Sequence, residues 1–252
     1  MSAQRGVDVV ELKVTVSLEQ ARTAGIWDAL PGSGHARRLW FCELSGARPT
    51  RLPLQDSGVT LRLGETRGHT DEATVRLRPC LRSRLTGRWS EPWHNGRERL
   101  GFVSEWCGDR RMLSASVTAR HPPGTVTLVT PGGGPPDALF TYTQRQFLAD
   151  CADRPVPLTE LTVFGPVVAR RWPASMWSRM PLTVEHWAVT APSGARADLV
   201  ELSRHVDRQG AEIAQLALES GLRRRGVDPA ECAEVPRTRR VLELLTAAAP
   251  AM

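Results

Sequence analysis

Val9-Val10-Glu11-Leu12-Lys13-Val14-Thr15-Val16, near the start of the chain, alternates with a period of two. That period is the mark of a β-strand with two unlike faces. Val10, Leu12, Val14 and Val16 make one face apolar, while Glu11, Lys13 and Thr15 point the other way. Lys13 stands out because it is the only lysine among 33 basic Lys and Arg residues. Lysine is a point charge on a flexible stem and lacks the planar fork of arginine. A compact ammonium kept beside a carboxylate reads as a functional, unliganded cation; the plainer reading is a survivor on a solvated face.

The same alternation recurs outward from this strand. Arg38–Leu44, Gly58–Gly64, Ala73–Pro79, Leu100–Cys107 and Arg111–Arg120 read as strands, joined by turns such as Gly68–Glu72 and Gly108-Asp109. In the third of these runs Thr74, Arg76 and Arg78 share a face opposite Val75 and Leu77. Further strands are expected at Thr159–Trp172, broken at Gly165-Pro166 because proline cannot donate within a ladder, and at Leu182–Val189 and Asp198–Ser203. A short strand is expected at Thr125–Val129, and Gly132-Gly133-Gly134 reads as linker because no Gly-Lys-Ser/Thr follows it. Helices are expected at Ser17–Leu30, capped by Ser17, and at Thr143–Ala152. Ile213, Leu216, Ala217 and Leu222 mark an amphipathic helix ending at Arg223-Arg224-Arg225-Gly226, and Val241–Ala249 a final one.

Composition narrows the function classes. At 252 residues, 41% of them hydrophobic, the chain can bury a real core. A net charge of +6 fits an anionic partner, although Arg-rich codon usage accounts for it equally well. Cys42, Cys80, Cys107, Cys151 and Cys232 are odd in number and lack C-x-x-C spacing, which argues against a disulfide framework or a zinc site. The histidines show no ligand spacing. Arg5 and Asp8 ahead of a strand give no sign of a signal peptide, and no apolar run nears the roughly 20 residues of a membrane span. A soluble cytoplasmic protein is expected, with no membrane partner and no specific nucleic-acid partner.

Glu11-x-Lys13, Leu61-Arg62-Leu63, Val75-Arg76-Leu77-Arg78-Pro79 and Val103-Ser104-Glu105-Trp106-Cys107 occur in that order. Ser114-Ala115-Ser116, Gly165-Pro166-Val167-Val168-Ala169-Arg170-Arg171, Val184-Glu185-His186-Trp187 and Val200-Glu201-Leu202-Ser203 follow. Over about residues 7 to 206 this series resembles the CYTH superfamily, the triphosphate tunnel metalloenzymes. These include class IV adenylate cyclases, thiamine triphosphatases and inorganic triphosphatases. The tail resembles C-terminal helices of bacterial members. The resemblance implies an α+β fold: an eight-stranded antiparallel β-barrel flanked by helices, with charges facing its lumen. The expected organisation is a tunnel domain over residues 1–206 and a helical extension over 207–252 that packs on the barrel.

The resemblance also implies a division of labour. Lys13, Arg62, Arg76, Arg78, Arg170 and Arg171 would bind a small-molecule triphosphate or polyphosphate, because a polyanion needs several cations at once. Glu11, Glu105, Glu185 and Glu201 would hold Mg²⁺ or Mn²⁺, with Lys13 and Glu105 as the catalytic pair. Three departures thin the acidic wall. The family opens Glu-x-Glu-x-Lys, where this chain has Val9, and Cys107 and Ser203 replace two further carboxylates. Mg²⁺ keeps several waters and takes one or two carboxylates, so the four glutamates could suffice. The expected activity is a metal-dependent triphosphatase. The alternatives are another enzyme on the same scaffold, such as a nucleotidyl cyclase or a diphosphate-processing enzyme, and a binding module without turnover. Cys107 is expected to fill space, and Trp40, Trp106, Trp172, Trp177 and Trp187 to pack in the core or at the rim.

Overall fold

The computed structural model describes residues 9–130, 133–232 and 236–247. Arg5, Asp8, Gly132 and the expected end of the last helix at Ala248 and Ala249 lie outside them. The strands, in chain order, are β1 (Val9–Ser17), β2 (His35–Leu44), β3 (Val59–Glu65), β4 (Asp71–Leu77), β5 (Trp93–His94), β6 (Glu98–Cys107), β7 (Arg110–His121), β8 (Leu161–Trp177), β9 (Met180–Thr190) and β10 (Arg196–Asp207). The helices are α1 (Leu18–Thr23), α2 (Pro53–Asp56), α3 (Tyr142–Cys151), α4 (Ala211–Arg223) and α5 (Arg237–Leu245).

Nine strands close into a barrel in the order β1-β10-β9-β8-β2-β3-β4-β7-β6, and β5 pairs with β6 outside the ring. The expected count of eight antiparallel strands is therefore corrected to nine, in a mixed barrel. The direction of the last contact follows from parity. Eight antiparallel steps lead from β1 round to β6 and leave those two strands pointing the same way, so the contact that closes the ring must be parallel. That contact is short, matching Val10 to Ser104, Glu11 to Glu105 and Leu12 to Trp106.

Several apolar faces point outward and are covered by helices, but at one end the lumen face is apolar too, where Phe41, Trp187, Val189 and Leu199 bury Val241, Leu242 and Leu245 of α5. Leu61 and Val75 pack with Phe147 and Leu148 of α3, while Val10 and Leu12 pack with Ala21 of α1 and with Leu218 and Leu222 of α4. Thr141 and Gln144 form a capping box at the start of α3. The buried Gln144 also donates to the carbonyls of Ala73 (2.8 Å) and Val117 (2.9 Å), tying α3 to two strands. Ser17 and Gln20 form the same box on α1. That helix stops at Thr23 and not at Leu30; Gly25 follows in a left-handed conformation (φ 65°) and the chain re-forms only a 3₁₀ turn at Trp27–Ala29. Val126–Leu128 is likewise a 3₁₀ turn where a strand was expected, its start anchored by the Asp71 carboxylate, which accepts from the Val126 amide.

Gly165-Pro166 does not break β8. The ladder to β2 shifts register between Leu39 and Phe41, opposite this pair, so the proline falls in a bulge where no ladder donor is required. Gly165 has φ 130°, and a Cβ there would lie 2.9 Å from the Leu39 carbonyl oxygen. On α4 the expected apolar stripe is only half right. Leu222 is buried, but Ile213 and Leu216 are 75% and 62% exposed, and Ala211, Leu218 and Gly221 complete the buried side. No helix among the described residues is long and apolar enough to cross a membrane.

Candidate functional site: a charged tunnel inside the barrel

Alternation sends the charged side chains inward from most of the wall. Registers fix which residues share the lumen: Thr15 lies opposite Glu201, Glu201 opposite Glu185, Arg62 opposite Thr74 and Arg76 opposite Ser116. Lys13, Arg62, Arg76, Arg78, Glu105 and Glu201 line one cavity. Arg78 stands just past the end of β4, where its amide donates to the Gly58 carbonyl (2.7 Å). The barrel thus brings together four of the six expected phosphate ligands. Arg170 and Arg171 are not among them. Both are exposed, and Arg170 turns outward to donate to the Ser33 carbonyl (3.1 Å). Arg171 lies across the ladder from Glu185, but that carboxylate is already taken by Arg37 and Arg237.

Lys13 is not unliganded. Its Nζ lies 3.0 Å from Glu11 Oε2 and 3.2 Å from Glu105 Oε2. Burial works against its charge, but Glu201, Glu105 and Glu11 outweigh burial and raise its pKa. Glu105 is the hub on the other side, only 1% exposed, with Arg78 Nε at 3.0 Å and Arg76 Nη1 at 3.9 Å. Burial alone would push the Glu105 carboxyl up; Lys13, Arg76 and Arg78 instead hold it at about 2. A carboxylate this acidic is a poor proton acceptor near neutral pH. Its place is that of a fixed counter-ion which aims Lys13 and Arg78. Cys107 lies in the same wall with its thiol pKa raised, chiefly by burial, and so stays protonated at neutral pH.

Arg62 has the opposite problem. Among the described residues it has no carboxylate within ion-pair distance, and burial beside Arg37 and Arg76 pushes its pKa down to about 9. It remains charged at neutral pH, in a place with too little negative charge around it.

Two tunnel residues escape a reading of the sequence. Arg37 holds Glu185 from β2, where Arg37 and Arg38 are adjacent and only the register decides which faces inward. Arg237 is the first residue of α5 and reaches both Glu185 (2.7 Å) and Glu201 (3.1 Å). One signal for it was available. Arg237, Arg239 and Arg240 open a helix with no acidic residue in its first turn, against the preference of the helix dipole for anions there. Broken local rules of this kind tend to mark functional positions.

The glutamates do not present a metal seat. No group of three or more His, Cys, Asp or Glu side chains is gathered for one among the described residues. Glu11 and Glu105 share Lys13, and Glu185 and Glu201 share Arg237. One buried carboxylate oxygen, Glu105 Oε1, accepts no hydrogen bond, but the group nearest it is the Arg76 guanidinium, which would repel a cation. The residues as placed do not fit Mg²⁺ or Mn²⁺.

The chain shares this closed barrel with solved structures. HpAC1 from Hippeastrum, a candidate adenylyl cyclase described as having a dominant triphosphatase activity, matches with a TM-score of 0.52 at 10% identity, over 91% of this chain and 92% of that one. A candidate adenylate cyclase from Bacillus halodurans aligns at 16% identity over 92% of this chain and 98% of that one, with a TM-score of 0.49. The likeness to the first is one of fold. No family model matches the sequence, and no curated protein is significantly similar to it.

The paired carboxylates set the acid sensitivity of the fold. Glu105 is held at about 2, and Glu185, despite burial, is held well below the usual carboxylate range by Arg237 and Arg37. A depressed carboxyl pKa adds stability above the unfolded value, about 4.3, and the addition is lost as pH falls through the folded value. Melting temperature is therefore expected to hold from neutral pH down to about 5 and to drop steeply towards pH 2. A flat profile over that window would contradict the pairing.

Proposed function

We propose that the tunnel binds the triphosphate group of inorganic triphosphate or of an organic triphosphate, and that its reaction class is hydrolysis of a phosphoanhydride bond. The observation that carries the binding step is Arg62, a half-buried guanidinium with no carboxylate partner among the described residues, crowded by Arg37 and Arg76. A polyanion in the cavity would supply the missing charge. Arg76 and Arg78 flank the same space, and guanidinium forks match phosphate oxygens in pairs of hydrogen bonds. Lys13, steered by Glu11 and Glu105, adds a point charge beside Arg78. The triphosphatase activity described for the Hippeastrum protein supports hydrolysis by analogy of fold, and fold alone does not fix chemistry.

A second reading, a module that holds polyphosphate without turnover, is favoured by the arginines and lysine already seated on all four glutamates. One experiment separates the two. Tripolyphosphate, ATP and thiamine triphosphate are incubated with the protein in Mg²⁺, in Mn²⁺ and in chelator, and released phosphate is measured. Release above a heat-denatured control is the expected result. Binding without release would establish the module, cyclic nucleotide with pyrophosphate would establish a cyclase, and neither binding nor release would overturn both readings.

A further inference from the structure

The contact that sets this tunnel apart is Arg237. Its Nη2 donates to Glu185 Oε2 at 2.7 Å and to Glu201 Oε1 at 3.1 Å, and its Nη1 donates to the Glu185 carbonyl at 3.3 Å. Its Cζ lies 3.7 Å from the centre of the Trp187 ring, a stacked cation–π contact. The side chain is only 8% exposed. Glu185 and Glu201 face each other across the β9–β10 ladder. Chemically, such a pair is a seat for one divalent cation, and a guanidinium fills it here.

The seat is held from behind. Val241, Leu242 and Leu245 of α5 are buried against Leu39, Phe41 and Val189, so the guanidinium cannot leave without working against a packed helix. Charge is balanced as well, because Arg37 takes the second oxygen of Glu185. The Arg237 Nε is buried without a partner, and the residue lines the same cavity as Arg62, Arg76 and Arg78.

We propose that Arg237 is the built-in cation of the acidic wall, and that this protein binds the triphosphate group with no divalent metal on Glu185 and Glu201. The proposal rests on the triphosphate reading above and is tested so that the two can fail separately.

Tripolyphosphate is titrated into the full chain by calorimetry, in chelator and again in Mn²⁺. Free Mn²⁺ is followed by electron paramagnetic resonance for the wild type and for Arg237→Gln, without phosphate. The expected dissociation constants in chelator and in Mn²⁺ agree within about threefold. Wild type leaves the Mn²⁺ signal unchanged, and Arg237→Gln depletes it. The calorimetric arm uses only wild type, so it stands even if the variant fails to fold. Binding that is more than about tenfold weaker in chelator would overturn the proposal and leave the triphosphate reading intact. So would a folded Arg237→Gln that takes up no more Mn²⁺ than wild type. Absence of tripolyphosphate binding under both conditions would overturn the two together.

Discussion

Glu105→Gln is expected to destabilise the ligand-free protein by about 3–5 kcal/mol, the usual penalty for removing one partner from a buried ion pair. For a chain of this size that is a fall in Tm of roughly 10 °C. Glutamine preserves shape and can still accept hydrogen bonds, so the loss is one of charge. Lys13 and Arg78, which share one Glu105 oxygen, would be left side by side without it, with Arg76 close to the other oxygen. A polyanion should repair part of this. Tripolyphosphate is therefore expected to raise the Tm of Glu105→Gln by more than it raises that of wild type. Melting curves with and without tripolyphosphate check both statements; a variant as stable as wild type would mean that Glu105 is not the hub of the cation cluster.

Arg62→Met should do the reverse, and the sign follows from its pKa. The folded guanidinium titrates near 9, well below its ordinary value, so folding disfavours the charged form at every pH below about 9. Removing that charge is expected to stabilise the free protein at pH 7. The same substitution should weaken tripolyphosphate binding by about 1.5–3 kcal/mol, the size of a hydrogen bond between charged groups. That is roughly a ten- to hundredfold loss of affinity. Gain of stability with loss of binding is the pattern of a residue kept for its ligand. Loss of both would make Arg62 an ordinary structural cation. Lys13 differs in kind, because its charge is already paired in the free state.

Much of the barrel could be read in the sequence, for a simple reason. Many wall strands have one charged or polar face and one apolar face, and a period of two is visible in the sequence alone; β2, apolar on both faces from Leu39 to Cys42, is the exception that needs the structure. A strand was expected at each of the nine barrel positions, and one more at Thr125–Val129 that proves to be a turn, while the resemblance implied eight strands. The parallel closure between β1 and β6 was hidden because it joins three residue pairs far apart in sequence. Arg62, Arg76 and Glu105 were legible because each is flanked by residues of the opposite face. Arg170 and Arg171 misled because adjacent arginines cannot share a face, and the lumen at that level was already filled from elsewhere. Arg237 lay in a stretch, Pro236-Arg237-Thr238-Arg239-Arg240, that reads as a solvated helix start. Only the fold brings it to Glu185 and Glu201, about 40 to 50 residues earlier in the chain.

Calorimetric titration of tripolyphosphate into wild type and into Arg62→Met, at one fixed salt concentration, tests the central claim most directly. The predicted result is a single saturable site per chain in wild type, weakened roughly ten- to hundredfold in a variant that melts no lower. No saturable binding to wild type, or equal affinity in the two proteins, would contradict a tunnel built around an arginine that waits for phosphate.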